Sequence, residues 1–160
     1  MPRPTTSLSQ SIPEMKKRHL IAALTLVGSF AGSSLACAEI VALKSDLQSS
    51  SEVPPTTAKG HGALEAEYDT TSKVLRWKVT YADLTGPANA AHFHGPAPIG
   101  RNAGVQVPID SSALASPIQG QATLNDAQEN DLLTGKWYFN VHTAQNAGGE
   151  IRGQVQRVVQ

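Results

Sequence analysis

Cysteine is all but missing from this chain: Cys37 is the single example in 160 residues. No disulfide can form within it, and a nucleophilic Cys–His pair has one thiol at most to draw on. Basic runs are missing after residue 18, so no stripe of Lys and Arg is available to track phosphates. Nucleic acid and anionic membrane are not expected as partners. No G-x-S-x-G elbow and no phosphate-binding glycine loop occurs. Serine is plentiful, but none sits in a context that would activate its hydroxyl. An enzyme is therefore not the expected reading. The longest strongly apolar run, Leu20 to Phe30, is shorter than the roughly 18 to 20 residues that span a bilayer.

What is present at the start is a leader. Lys16, Lys17 and Arg18 precede that apolar run, and small residues follow it up to Ala36-Cys37-Ala38. A basic cluster, an apolar core and an A-x-A site are the three parts of a secretory signal. Residues 1–38 are expected to be a signal peptide, with Met15 as its true start, because the preceding stretch holds three prolines and little charge. Cleavage after Ala38 would leave residues 39–160, with nine Lys/Arg against twelve Asp/Glu, a net charge of −3. The product is expected in the periplasm or outside the cell, without a transmembrane span. A rival reading makes Cys37 a lipid-modified first residue, although Ser34 stands where a lipobox carries an aliphatic side chain.

Beyond residue 60 a two-residue rhythm dominates. Gly62, Leu64, Ala66 and Tyr68 alternate with Ala63, Glu65 and Glu67. Leu75, Trp77, Val79 and Tyr81 alternate with Arg76, Lys78 and Thr80. The polar turn Asp69 to Ser72 joins the two runs, which predicts an antiparallel hairpin with one wet face. Ala90 to His94, Val105 to Ile109 and Ile118 to Leu124 are further strand candidates. Trp137, Phe139, Val141 and Thr143 alternate with Tyr138, Asn140 and His142; Ile151, Gly153 and Val155 alternate with Arg152, Gln154 and Gln156. Gly95 to Gly104 is a loop by its Gly and Pro content. The stretch from Glu39 through Pro54-Pro55 is expected to be an edge or connecting segment, since proline cannot donate to a ladder. One helix is predicted near Asp126 to Thr134, with Asn125 and Gln128 forming a capping box and Gly135 ending it. The expected fold is all-β: a Greek-key-like antiparallel sandwich or flattened barrel of about seven or eight strands and one short helix, superoxide-dismutase-like or immunoglobulin-like.

Five stretches in order then match one family: Glu52-Val53-Pro54-Pro55 with Lys59 to Ala63; Leu84-Thr85-Gly86-Pro87 with Ala91 to Pro96; Asp131-Leu132-Leu133; Trp137 to Thr143; and Gly148 to Gln154. They resemble the CHRD domain, first described in chordin, over residues 40 to 157. The resemblance implies a small exported β domain and a binding or envelope-associated role. It implies no enzymatic activity and names no ligand.

Three histidines stand out. His92 and His94 are two apart on a strand candidate and so share a face, while Phe93 points to the core. His142 follows the apolar Val141 and falls on an outer face. If the strands are neighbours, three imidazoles converge, and that set suits copper or zinc. Leu84-Thr85-Gly86 followed by His92-Phe93-His94 also resembles the copper-binding region of Cu/Zn superoxide dismutase. Neither a zinc subsite nor the disulfide of that enzyme can be found here, so dismutation is not expected. The alternative role for these rings is structural, with loop carbonyls as their partners. His61 is a possible fourth ligand. Glu150 and Arg152 are expected to form an ion pair or to anchor the Pro54-Pro55 segment. Glu65 and Glu67 read as wet face rather than as a glycosidase pair, and Trp77 and Trp137 read as core.

Overall fold

The computed structural model describes Met1 and residues 39–159. The chain divides into a unit of residues 1–34 and a unit of residues 35–160, and every described strand belongs to the second. The expected leader, with Met15 and Cys37, lies outside the described residues apart from Met1. Among the described residues, no helix is long and apolar enough to cross a membrane.

The strands are β1 (Ile40–Gln48), β2 (His61–Asp69), β3 (Val74–Ala82), β4 (Ala88–His94), β5 (Val105–Pro108), β6 (Ile118–Thr123), β7 (Tyr138–Thr143), β8 (Ile151–Gln154) and the two-residue β9 (Gln156–Arg157). Eight of them form one antiparallel path in the order β5-β4-β7-β8-β1-β2-β3-β6, and β9 pairs with β1. The path curls into a nearly closed barrel, with β5 and β6 at its two open edges. Of the sandwich and barrel alternatives, the barrel is the architecture found.

Alternation decides which side chains fill it. Leu64, Ala66 and Tyr68 of β2 and Leu75, Trp77 and Val79 of β3 are all buried, while Glu65, Glu67, Arg76 and Lys78 face out. Glu65 lies opposite Lys78 and Glu67 opposite Arg76, which is an ordinary charged wet face. Asp69 shapes the turn between these strands, its carboxylate accepting from the Thr71 and Ser72 amides at 2.8 and 3.1 Å. Phe93 sits among Trp77, Trp137 and Phe139, with ring centroids 5.1, 5.9 and 4.8 Å away. This aromatic cluster lies directly behind the strands that carry the histidines.

The helix α1 spans Asp126–Leu133. Asn125 Oδ1 accepts from the Gln128 amide at 2.9 Å, and Gln128 Oε1 accepts from the Asn125 amide at 3.1 Å. The predicted capping box is thus formed on both sides. Leu132 is fully buried, Lys73 pairs with Asp126 and Glu129, and Gln128 donates to Gln106 of β5 at 3.3 Å.

One expectation needs correction. The stretch after Glu39 is not an edge: β1 lies in the middle of the path, between β8 and β2, with nine residues paired to β2. Its inward series is Val41, Leu43, Ser45 and Leu47, and polar Ser45 interrupts the apolar rhythm. β7 has no wet face: all six residues from Tyr138 to Thr143 are buried. The barrel core covers one side, and the loop from Gly95 to Gly104 and the segment near Glu52 cover the other.

Candidate metal centre

β4 and β7 are antiparallel neighbours, with Ala90 opposite His142, His92 opposite Asn140, Phe93 opposite Phe139 and His94 opposite Tyr138. Because side chains alternate, this register sends Ala91, Phe93, Phe139 and Val141 into the core, each fully buried. The same register gathers His92, His94, Tyr138, Asn140 and His142 on the outer side. The sequence places the rings on that face; pairing of two strands separated by more than forty residues brings them together.

One nitrogen from each of His92, His94 and His142 lies within 4.8 Å of the other two. His92 Nδ1 and His142 Nε2 are 3.2 Å apart. Two nitrogens that share one ion through bonds of about 2 Å stand at most about 4 Å apart. The His92–His142 pair already meets that spacing, and the third ring closes it by a shift of under about 1 Å.

The outer nitrogens are tied to the backbone. His94 Nδ1 lies 3.0 Å from the Ala103 carbonyl, and His142 Nδ1 lies 3.0 Å from the Ala147 carbonyl. A carbonyl can only accept, so each Nδ1 carries the hydrogen and each neutral ring keeps its lone pair on Nε2. A carbonyl that accepts from the far ring nitrogen fixes the tautomer of metal-ligating histidines in this way. Burial pushes the pKa of all three rings below the ordinary histidine value, and for His92 the neighbouring His142 and His94 add to the effect. The rings are therefore neutral at pH 7, which is the form a metal needs.

Around the rings lies a buried polar shell. Asn140, 3% exposed, has Oδ1 3.1 Å from His94 Nε2 and 3.0 Å from His142 Nε2. The Tyr138 ring stacks on His94 at 4.7 Å and 3°. The Arg152 guanidinium lies 3.4 Å from the centre of the Tyr138 ring. Arg152 also donates to Asn102 Oδ1 at 2.8 Å and to the Arg101 carbonyl at 2.6 Å. Asn102 in turn donates to the Val53 carbonyl at 2.9 Å. A single buried cation thus fastens the loop whose Ala103 carbonyl aims His94.

Residues 43–155 match the family model described as the CHRD domain. The chain belongs to the CHRD family. The match covers nearly all of the described barrel, as the five motifs imply. Comparison with curated proteins and with solved structures gave no match.

In this CHRD domain the three rings converge, and two of them also hold loop carbonyls. His61 does not join them; it is exposed and lies 3.7 Å from Asp83. Glu150 and Arg152 do not pair. Glu150 is enclosed by donors instead, accepting from the Thr85 amide at 2.7 Å and from the hydroxyls of Thr85 and Thr143 at 2.5 and 2.6 Å. Asn146 completes the set at 3.0 Å. Glu150, just before β8, and Arg152, within it, meet different partners, and the Arg152 charge acts on Glu52. The Glu150 carbonyl does anchor the proline segment, accepting from the Thr56 hydroxyl at 3.3 Å.

Sequence reasoning did not find Asn140 or Glu52. Asn140 reads as one polar residue in an alternating strand. Glu52, 4% exposed, stands beside a proline pair and carries no marker of burial. The shared family motifs containing both residues were the available signal.

Proposed function

We propose that this CHRD domain is an exported, non-enzymatic binding protein whose ligand is a transition-metal ion, copper or zinc. His92, His94 and His142 are the ligands. The observation that carries the reading is the aim of the rings: backbone carbonyls hold the outer nitrogens of His94 and His142, which leaves lone pairs directed inward beside His92. Neutral imidazoles in that arrangement suit copper and zinc. The basic, apolar and small-residue order of residues 16–38 supports export to the periplasm or beyond and an envelope-associated role. Lipid attachment at Cys37 is the alternative to release.

A second reading, that the histidines only pin loops, draws on the same two carbonyl contacts. His92 separates the two. Among the described residues it has no backbone partner, and its one polar contact is His142. Titration of the untagged protein with Zn(II) and Cu(II), beside His92→Ala, is the test. Stoichiometric binding that His92→Ala weakens by about a hundredfold or more supports the metal reading. Equal behaviour of the two proteins removes it. Mass spectrometry of the N-terminus of the cell-derived protein tests export: a free or lipidated residue near 37–39 is expected, and an intact leader would refute it.

A further inference from the structure

The inner nitrogens of His94 and His142 face a group they cannot satisfy. Each Nδ1–H is spent on a carbonyl, so each Nε2 presents a lone pair. Both lone pairs meet Asn140 Oδ1, at 3.1 and 3.0 Å, and an amide oxygen is also an acceptor. His92 can offer one hydrogen, from Nδ1 to His142 Nε2 at 3.2 Å. Among the described residues, His94 Nε2 has no partner other than that oxygen. Acceptors crowded to hydrogen-bond distance without enough hydrogens repel one another, and burial makes this costly.

A cation turns both Asn140 Oδ1 contacts from repulsive to attractive, and His92 joins it by carrying its hydrogen on Nε2 and presenting the Nδ1 lone pair. Donor atoms bound tetrahedrally to one ion at about 2.0 to 2.2 Å sit about 3.3 to 3.6 Å from one another. The contacts of 3.0, 3.1 and 3.2 Å among Asn140 Oδ1, His94 Nε2, His142 Nε2 and His92 Nδ1 come within a few tenths of an ångström of such edges. The amide also has a reason to point its oxygen inward. Its Nδ2 lies beside the Glu52 carboxyl over Gly149, where a Cβ would meet both groups. Glu52 Oε1 is buried and has no hydrogen-bond partner of its own. An acceptor on that side favours Nδ2 outward and Oδ1 toward the rings.

We propose that Asn140 Oδ1 is the fourth donor of the histidine site, making it a three-nitrogen, one-oxygen set for a divalent ion. The inference rests on the metal reading above and goes beyond it in naming a ligand and an ion class. A carbonyl oxygen suits a harder cation than the thioether and thiolate sulfurs that select Cu(I). Zn(II), Co(II) and Cu(II) therefore gain from Asn140, and Cu(I) gains little.

The test uses the untagged full chain with Zn(II) by calorimetry and Co(II) by visible absorption. Four proteins are compared: wild type, Asn140→Leu, Asn140→Asp and His92→Ala. Asn140→Leu is expected to weaken Zn(II) at least tenfold and to change the Co(II) bands. Asn140→Asp restores an oxygen donor and adds charge, so it binds Zn(II) at least as tightly as wild type. His92→Ala is expected to weaken Zn(II) by about a hundredfold or more. An Asn140→Leu protein that folds and matches wild type in affinity and Co(II) spectrum overturns the fourth donor while leaving the three-histidine site intact. If the leucine variant does not fold, the aspartate variant decides, and weaker Zn(II) binding by it overturns the proposal. A wild-type protein that binds neither ion removes both readings.

Discussion

The guanidinium of Arg152 lies over the ring of Tyr138, 3.4 Å from its centre, and that contact joins the barrel to the loop that aims His94. Cation and ring attract through the ring quadrupole, more strongly when water is excluded. Arg152 is 2% exposed and spends its hydrogens on Arg101 and Asn102. Arg152→Ala removes the cation–ring contact, takes the donors from the Arg101 carbonyl and Asn102 Oδ1, and withdraws the positive charge near Glu52. The expected cost is about 3 kcal/mol in urea unfolding. Arg152→Lys keeps the charge but not the planar fork, so it recovers only part of the loss. An alanine variant within about 1 kcal/mol of wild type would show that this fastening contributes little.

Glu52 makes stability depend on pH in an unusual direction. Burial pushes its pKa up to about 7, with the Arg152 charge, the Asn140 amide and the Val53 backbone pulling weakly the other way. The folded protein therefore holds a proton that the unfolded chain releases near the ordinary glutamate value of 4.5. Between these values the native state binds more protons, so stability falls as pH rises, by roughly 3 kcal/mol in all, and levels off above about 7. The histidines oppose this below their ordinary pKa, because their folded values are depressed. Comparison with Glu52→Gln isolates the carboxyl: between pH 5 and pH 8 the wild type should lose roughly 3 kcal/mol relative to the variant, which keeps the histidine contribution alone. Parallel profiles would refute it.

Gly149 is the glycine that this corner cannot replace. Its φ is +129°, a region L side chains rarely enter, and a Cβ there would collide with the Glu52 carboxyl and the Asn140 amide. Gly149→Ala is expected to destabilise the domain by about 2 kcal/mol or more. Gly148→Ala next to it meets nothing within 4 Å and should change stability by less than about 1 kcal/mol. Thermal melts of the two variants check the contrast. Equal melting temperatures would mean the loop moves aside without penalty.

How far the residues alone specify this molecule can be judged from particular strands. β2 and β3 are legible because their inward residues are uniformly apolar or aromatic and their outward ones mostly charged. The α1 boundaries are legible because a capping box is a local device, closed within four residues. β1 is not, since Ser45 faces inward and Ile40 and Ala42 face outward, which blurs the alternation. Nor is the covered side of β7, because its cover comes from segments near residues 52 and 102. The convergence of the histidines depends on the β4–β7 register, which periodicity within either strand does not encode. Asn140 and Glu52 acquire their roles only from those distant contacts.

The carbonyls that orient His94 and His142 belong to Ala103 and Ala147, in loops rather than in the ladder. Ring direction is thus entrusted to the backbone that opens most readily, while the strands supply only the anchoring Cα positions. Warming, loop cleavage or a lengthened connection would spoil the convergence of the imidazoles well before the barrel gives way. The convergence of the imidazoles and the integrity of the barrel are separable, with the first the more fragile.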